Sequence, residues 1–170
     1  PRGSWGMSLS YAVSDRGACH MRAYAPNLEV FAASIPPYTP EGKGQMVYNL
    51  AEFNAVKFSL CICDFWGTIS YEIMAELMTM VTGKTWTVEE MSAVGRRVIN
   101  IARAFNQREG FNRKDDTIPK RLVNEVLGRG PAEGQKIPQE AFEDMLNQYY
   151  EVMGWSMEGM MPEDLIQSLL

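Results

Sequence analysis

His20 is the only histidine of the chain; it follows Arg16-Gly17-Ala18-Cys19 and precedes Met21-Arg22. An imidazole titrates near neutrality, so beside an arginine it can transfer a proton or orient a carbonyl. The plainer role is a helix cap or a filler of a polar gap. The three cysteines are Cys19, Cys61 and Cys63. Thiolates are the preferred ligands of iron–sulfur clusters, yet free cysteines also serve as small apolar core residues. A cubane cluster takes four thiolates, so this chain cannot complete one alone. A Cys-x-Cys pair is also poorly placed to bridge to itself, and the odd count fits a reducing compartment. The densest charge run is Asn112-Arg113-Lys114-Asp115-Asp116. It can bind a partner, pin two segments by salt bridges, or stand as a solvated loop with a carboxylate near a helix N-terminus.

Helices are what must position these groups. A short one is expected within residues 7–13, and the Pro- and Gly-rich stretch 34–44 reads as a loop. From Gln45 onward Met46, Leu50 and Phe53 recur at the helical period. Residues 58–63 alternate more like a strand. A Met-rich helix is predicted over 71–81, closed by Gly83. Thr87 and Glu90 form a capping box for the clearest helix, whose predicted apolar stripe is Val88, Met91, Val94, Val98, Ile101 and Phe105, with Gly110 at its end. Pro119, Pro138 and Pro162 each stand where a helix opens. Phe142, Met145, Leu146, Tyr149 and Val152 predict the buried face of the second of these, stopped by Gly154. Leu165, Ile166 and Leu169 predict that of the third. The expectation is an all-α fold, an irregular multi-helix domain over 1–170. Its extended Gly/Pro-rich N-terminal segment covers 1–45 and its helical body 46–170.

Composition narrows the function classes. A net charge of -5, with 16 basic against 21 acidic side chains, lacks the footprint of a nucleic-acid binder. The basic residues Arg96, Arg97 and Arg121 sit in an otherwise acidic chain, which argues against a helix-turn-helix. No apolar run approaches the roughly 20 residues of a membrane span, and no secretory leader is visible. The expectation is a cytoplasmic protein with no nucleic-acid and no membrane partner. The sequence opens on Pro1-Arg2-Gly3 rather than methionine and reads as a cut or processed piece of a longer chain.

Six stretches, in order, carry a resemblance. They are Pro1-Arg2-Gly3 with Leu9-Ser10-Tyr11-Ala12, Arg16-Gly17-Ala18-Cys19-His20, Ser59-Leu60-Cys61-Ile62-Cys63, Phe105-Asn106-Gln107-Arg108-Glu109-Gly110-Phe111, Arg113-Lys114-Asp115-Asp116-Thr117-Ile118-Pro119-Lys120-Arg121, and Tyr149-Tyr150-Glu151-Val152-Met153-Gly154-Trp155. Together they resemble the tungsten-containing aldehyde ferredoxin oxidoreductase family in its C-terminal helical region. The resemblance implies an aldehyde-oxidising enzyme with a tungsten (or molybdenum) bis-pterin and a 4Fe-4S cluster. Both groups require an N-terminal remainder that supplies a Cys-x-x-Cys-x-x-x-Cys triplet. Ferredoxin or an electron-transfer subunit is the implied partner, and a homodimer is left open. His20 is the implied catalytic residue, beside the tungsten. Arg22, Ile62 and Cys63 are implied cofactor contacts, with Cys63 the fourth cluster ligand. The family's Asp-x-x-Gly-Leu-Cys motif is altered here: Phe58 stands in place of the aspartate and Cys61 in place of the glycine. These departures open an alternative, the tungsten subunit of a benzoyl-CoA reductase. A second alternative is a catalytically silent helical interaction domain, and the isolated chain is expected to be inactive.

Overall fold

The computed structural model describes residues 1–169, and every regular element in them is helical. In chain order these are α1 (Trp5–Val13), a π-helical turn (Asn27–Phe31), α2 (Lys43–Ser59), α3 (Tyr71–Thr82), α4 (Val88–Arg108), α5 (Lys120–Asn124), α6 (Gln139–Met153) and α7 (Glu163–Gln167). Among the described residues there is no strand, only an isolated bridge between Asp15 and Gly17. The all-α expectation holds, and no helix is long and apolar enough to cross a membrane.

Helix α2 is the spine, packed against α1, α4 and α6. Two glycines allow its closest crossings. A β-carbon on Gly44 would lie 2.5 Å from the backbone of Gln148 on α6, and one on Gly95 of α4 would lie 2.4 Å from the Glu52 carbonyl oxygen. The main core joins Leu9 of α1, Val47 of α2, and Met145, Leu146 and Tyr149 of α6. A second cluster joins Val56, Ile69, Met74, Ala75 and Met91, where α3 and α4 meet the C-terminal half of α2. Each fully buried side chain of this size contributes roughly 1.5–3 kcal/mol.

The first 45 residues carry more regular structure than their loop-like composition suggests. Helix α1 is buried from Trp5 to Ser10, and the following segment is tied to α2 by a buried ion pair between Glu29 and Lys43. The Glu29 carboxylate also accepts from the Gly6 N–H at 3.0 Å and from the Ser4 hydroxyl. At the next crossing Glu52 accepts from the hydroxyls of Tyr48, Tyr71 (3.2 Å) and Ser92 (2.8 Å), joining α2, α3 and α4. Burial first, and then that carboxylate, pushes the Tyr48 phenol up to about 12.

The capping box of α4 forms as predicted, with Thr87 N–H to Glu90 at 2.9 Å and Glu90 N–H to Thr87 at 3.2 Å. The predicted stripe turns away from the core in its second half. Ile101 is 48% and Phe105 56% exposed, whereas Asn100 and Arg103 are buried. A polar network takes the inward groove there. Arg103 forks onto both Asp116 oxygens at 2.9 and 2.7 Å and donates to the Gly159 carbonyl. Asn100 accepts from the Trp155 indole at 3.0 Å. The strand-like reading of residues 58–63 also fails, because α2 continues through Ser59 and the rest forms its cap. A short apolar alternation does not distinguish a strand from the end of a buried helix.

Candidate active site

Helix α2 ends in a Schellman cap. The Ile62 N–H donates to the Lys57 carbonyl at 2.9 Å and the Cys61 N–H to the Phe58 carbonyl at 3.2 Å. Such a cap requires a left-handed residue between its two donors, and glycine is the usual occupant. Here that residue is Cys61, with φ 57°. The turn then runs on through Cys63, whose carbonyl accepts from the Trp66 N–H at 3.1 Å. The buried Lys57 ammonium donates to the Asp64 carbonyl at 2.9 Å and lies 4.0 Å from the Asp64 carboxylate. Residues 60–64 are thus fastened to the last turn of α2 at both ends, and the thiols of Cys61 and Cys63 are left free and exposed.

The loop that carries His20 is clamped by three helices. Ser10 of α1 donates to the Ala23 carbonyl at 2.8 Å. Asn54 of α2 donates to the carbonyls of Met21 and Arg22 at 3.1 and 3.3 Å, and Asn106 of α4 to that of Asp15 at 2.9 Å. Sequence reasoning assigned none of these three a role, because a side-chain hydroxyl or amide aimed at a distant backbone has no local signature. His20 itself is exposed, its ring edge-on to Tyr24 at 6.2 Å between centroids.

His20 and the residues just after Cys63 line one cleft of about 430 Å³, with Tyr24, Phe53, Lys57, Phe65 and Trp66 among its walls. Arg22 points elsewhere. Asp15 takes its Nε and Nη2 at 2.7 and 3.1 Å, and its guanidinium lies 4.2 Å above the Phe58 ring. Both side chains line a smaller interior cavity of about 40 Å³. Ile62 packs against the second core cluster and its N–H is spent in the cap. Next to His20, Cys19 accepts from Arg16 at 3.0 Å. Partial burial works to raise this thiol, but the Arg16 hydrogen bond, the Met21 backbone N–H and the charges of Arg16 and Arg22 together leave its pKa below the ordinary thiol value.

Among the described residues no three His, Cys, Asp or Glu side chains converge to hold a metal ion. Cys63 suits the part of a single thiolate ligand, since it is exposed, unbridged and set on a braced turn. A cluster bound there would draw its other ligands from outside this chain. The charge run at 112–116 pins separate segments together. Asp116 is buried on Arg103, Arg113 pairs with Glu143, and the Arg113 N–H donates to the Glu158 carbonyl at 2.9 Å.

Fold and site together define a helical framework that brings His20 and the turn following Cys63 to one cleft. The chain belongs to the family "Aldehyde ferredoxin oxidoreductase, domains 2 & 3", whose profile matches residues 1–169. A tungsten-containing aldehyde ferredoxin oxidoreductase of Pyrococcus furiosus is 29% identical over 175 residues, covering 99% of this chain. The enzyme of the same name from Thermococcus kodakarensis is 27% identical, again over 99% of this chain. An aliphatic sulfonate oxidoreductase, WOR-like subunit, of Pyrococcus furiosus is 28% identical over 95% of this chain and 24% of its own length. The chain spans 28% of the length of the aldehyde ferredoxin oxidoreductases it matches.

Proposed function

We propose that this chain is the C-terminal portion of a tungsten (or molybdenum) bis-pterin, 4Fe-4S oxidoreductase that converts aldehydes to carboxylates, with ferredoxin as electron acceptor. The observation that carries this reading is the shared cleft: His20 and the turn that follows Cys63 face the same space. The family match over residues 1–169 supports it. An aldehyde and a water become a carboxylate, three protons and two electrons, and the electrons leave singly to two ferredoxins. When bound, the metal–pterin group supplies the oxidation and the cluster relays the electrons.

The chain's own residues bind, orient and move protons. Cys63 gives one thiolate to the cluster, and the remaining three come from the N-terminal remainder of the enzyme. His20 takes a proton at an imidazole nitrogen, as a positioned acid–base group at the edge of a cleft can. By the family resemblance Arg22, held on its edge by Asp15 and on its face by Phe58, lends positive charge toward the pterin, and the Ile62 backbone is the second contact. In the full-length enzyme His20→Ala lowers turnover by about 10²–10⁴-fold, the usual contribution of a positioned acid–base group, while tungsten and iron contents stay normal. Unchanged turnover removes His20 from the mechanism.

Reduction of an aromatic thioester was motivated by Phe58 and Cys61. Both have local roles, Phe58 under the Arg22 guanidinium and Cys61 in the cap of α2, so neither any longer favours that chemistry.

A further inference from the structure

The cleft beside His20 has walls that discriminate among aldehydes. Phe53 stands on α2 and Tyr24 on the histidine loop, and Phe65 and Trp66 follow Cys63 across the opening. Phe65 is 88% and Trp66 46% exposed, a large apolar area to leave in water on a braced loop. The brace is specific to the indole. Trp66 Nε1 donates to Thr68 Oγ1 at 2.9 Å and its backbone N–H to Cys63, so the ring is held in place. Among the described residues the ammonium lining this cleft is Lys57, whose charge is matched by Asp64. The space therefore has flat aromatic walls, a proton-transfer group and no surplus cation. A volume of about 430 Å³ lies within the range of small-molecule sites, roughly 300–1,000 Å³.

We infer that Phe65 and Trp66 are specificity-determining residues, and that the substrates of this site are neutral aromatic aldehydes rather than short aliphatic aldehydes or acyl-CoA thioesters. This rests on the aldehyde-oxidising reading above. An aryl ring gains offset or edge-on contacts with both side chains that a methyl or ethyl group does not make. The phosphates of an acyl-CoA find no unpaired cation along the cleft. The step itself is the same for every aldehyde: the aldehyde and a water become a carboxylate and three protons, and the two electrons pass singly to two equivalents of a one-electron acceptor. Ring recognition therefore appears as a difference in kcat/KM between aldehydes.

The test compares kcat/KM for benzaldehyde and acetaldehyde in the full-length enzyme with benzyl viologen as acceptor, alongside competitive inhibition by benzoate. The wild type is expected to favour benzaldehyde by at least about tenfold, within the reach of an apolar pocket. Trp66→Ala and Phe65→Ala each lower that ratio by about three- to tenfold and weaken benzoate inhibition similarly, while Trp66→Phe, which keeps a flat ring but loses the Thr68 bond, restores both in part. If Trp66→Ala does not fold, Trp66→Leu keeps bulk without a flat face and is expected to lower the ratio in the same way. A wild-type ratio near one, or a ratio unmoved by these variants, overturns the inference and leaves aldehyde oxidation standing. An equal loss on both substrates also overturns it, and shows that Phe65 and Trp66 are covered by another part of the protein. Failure to oxidise any aldehyde overturns the functional reading itself.

Discussion

At Cys61 the chain places a β-carbon where the end of α2 requires a left-handed residue, and the two cap hydrogen bonds hold it there. A non-glycine residue in this region costs on the order of 1 kcal/mol or more. Cys61→Gly is therefore expected to stabilise the protein by about 1 kcal/mol, read as a higher midpoint in urea, with Cys63 reactivity unchanged. The departure from the family motif was visible in the sequence, but its cost was not, because φ is set by the cap. Cys19 makes the complementary case, where the thiol matters. Partial burial opposes ionisation, and the Arg16 hydrogen bond, the Met21 backbone N–H and the charges of Arg16 and Arg22 together more than reverse it. A depressed pKa means that the reactive thiolate is present at lower pH. The pH profile of Cys19 alkylation is expected to lie to the acid side in the wild type and to move toward higher pH in Arg16→Ala. Coincident profiles in the two proteins contradict the assignment. His20 and Cys63 stand out in the sequence as candidates by their motifs. The three clamps Ser10, Asn54 and Asn106 were not, since their acceptors lie 13 to 91 residues away.

Helix ends were the most legible elements. The Thr87–Glu90 box, Gly83 (φ 71°) and Gly154 (φ 72°) all act where their residue types place them, because caps are local chemistry. The inward face of α4 was not legible. Its apolar spacing pointed to Ile101 and Phe105, yet buried Asn100 and Arg103 turn inward to meet Trp155 and Asp116. Nothing in the spacing of α4 reveals a partner on another element. The same network gives the charge run at 112–116 its role, since Asp116 also accepts from Tyr150. Removing one member leaves the other buried without its counter-charge, so Asp116→Ala is expected to cost about 3–5 kcal/mol. Tyr150→Phe, which removes one hydroxyl donor, is expected to cost about 1–3 kcal/mol. Chemical denaturation of the two variants measures both, and a loss of less than 1 kcal/mol in Asp116→Ala contradicts the assigned role.

On the whole-molecule scale, α2 brings together two segments that are distant in the sequence. The histidine loop leans on its middle through Asn54, and the Cys63 turn grows from its last residues. This convergence depends on the packing of α2 with α1 and α4, which is why the motifs could be named from the sequence while their common cleft could not. The chain also shows apolar surface beyond the cleft, including Met80 at 69% and Val81 at 82% on α3. Patches of this kind mark places where other surfaces pack, and the chain spans only 28% of its aldehyde-oxidising relatives.

The most direct test of the account is the iron content and reduced-state electron paramagnetic resonance of the full-length enzyme carrying Cys63→Ser, with Cys61→Ser as the control. The account predicts a lost or altered cluster signal in Cys63→Ser and a native one in Cys61→Ser. A full complement of iron with an unchanged spectrum in Cys63→Ser would contradict it.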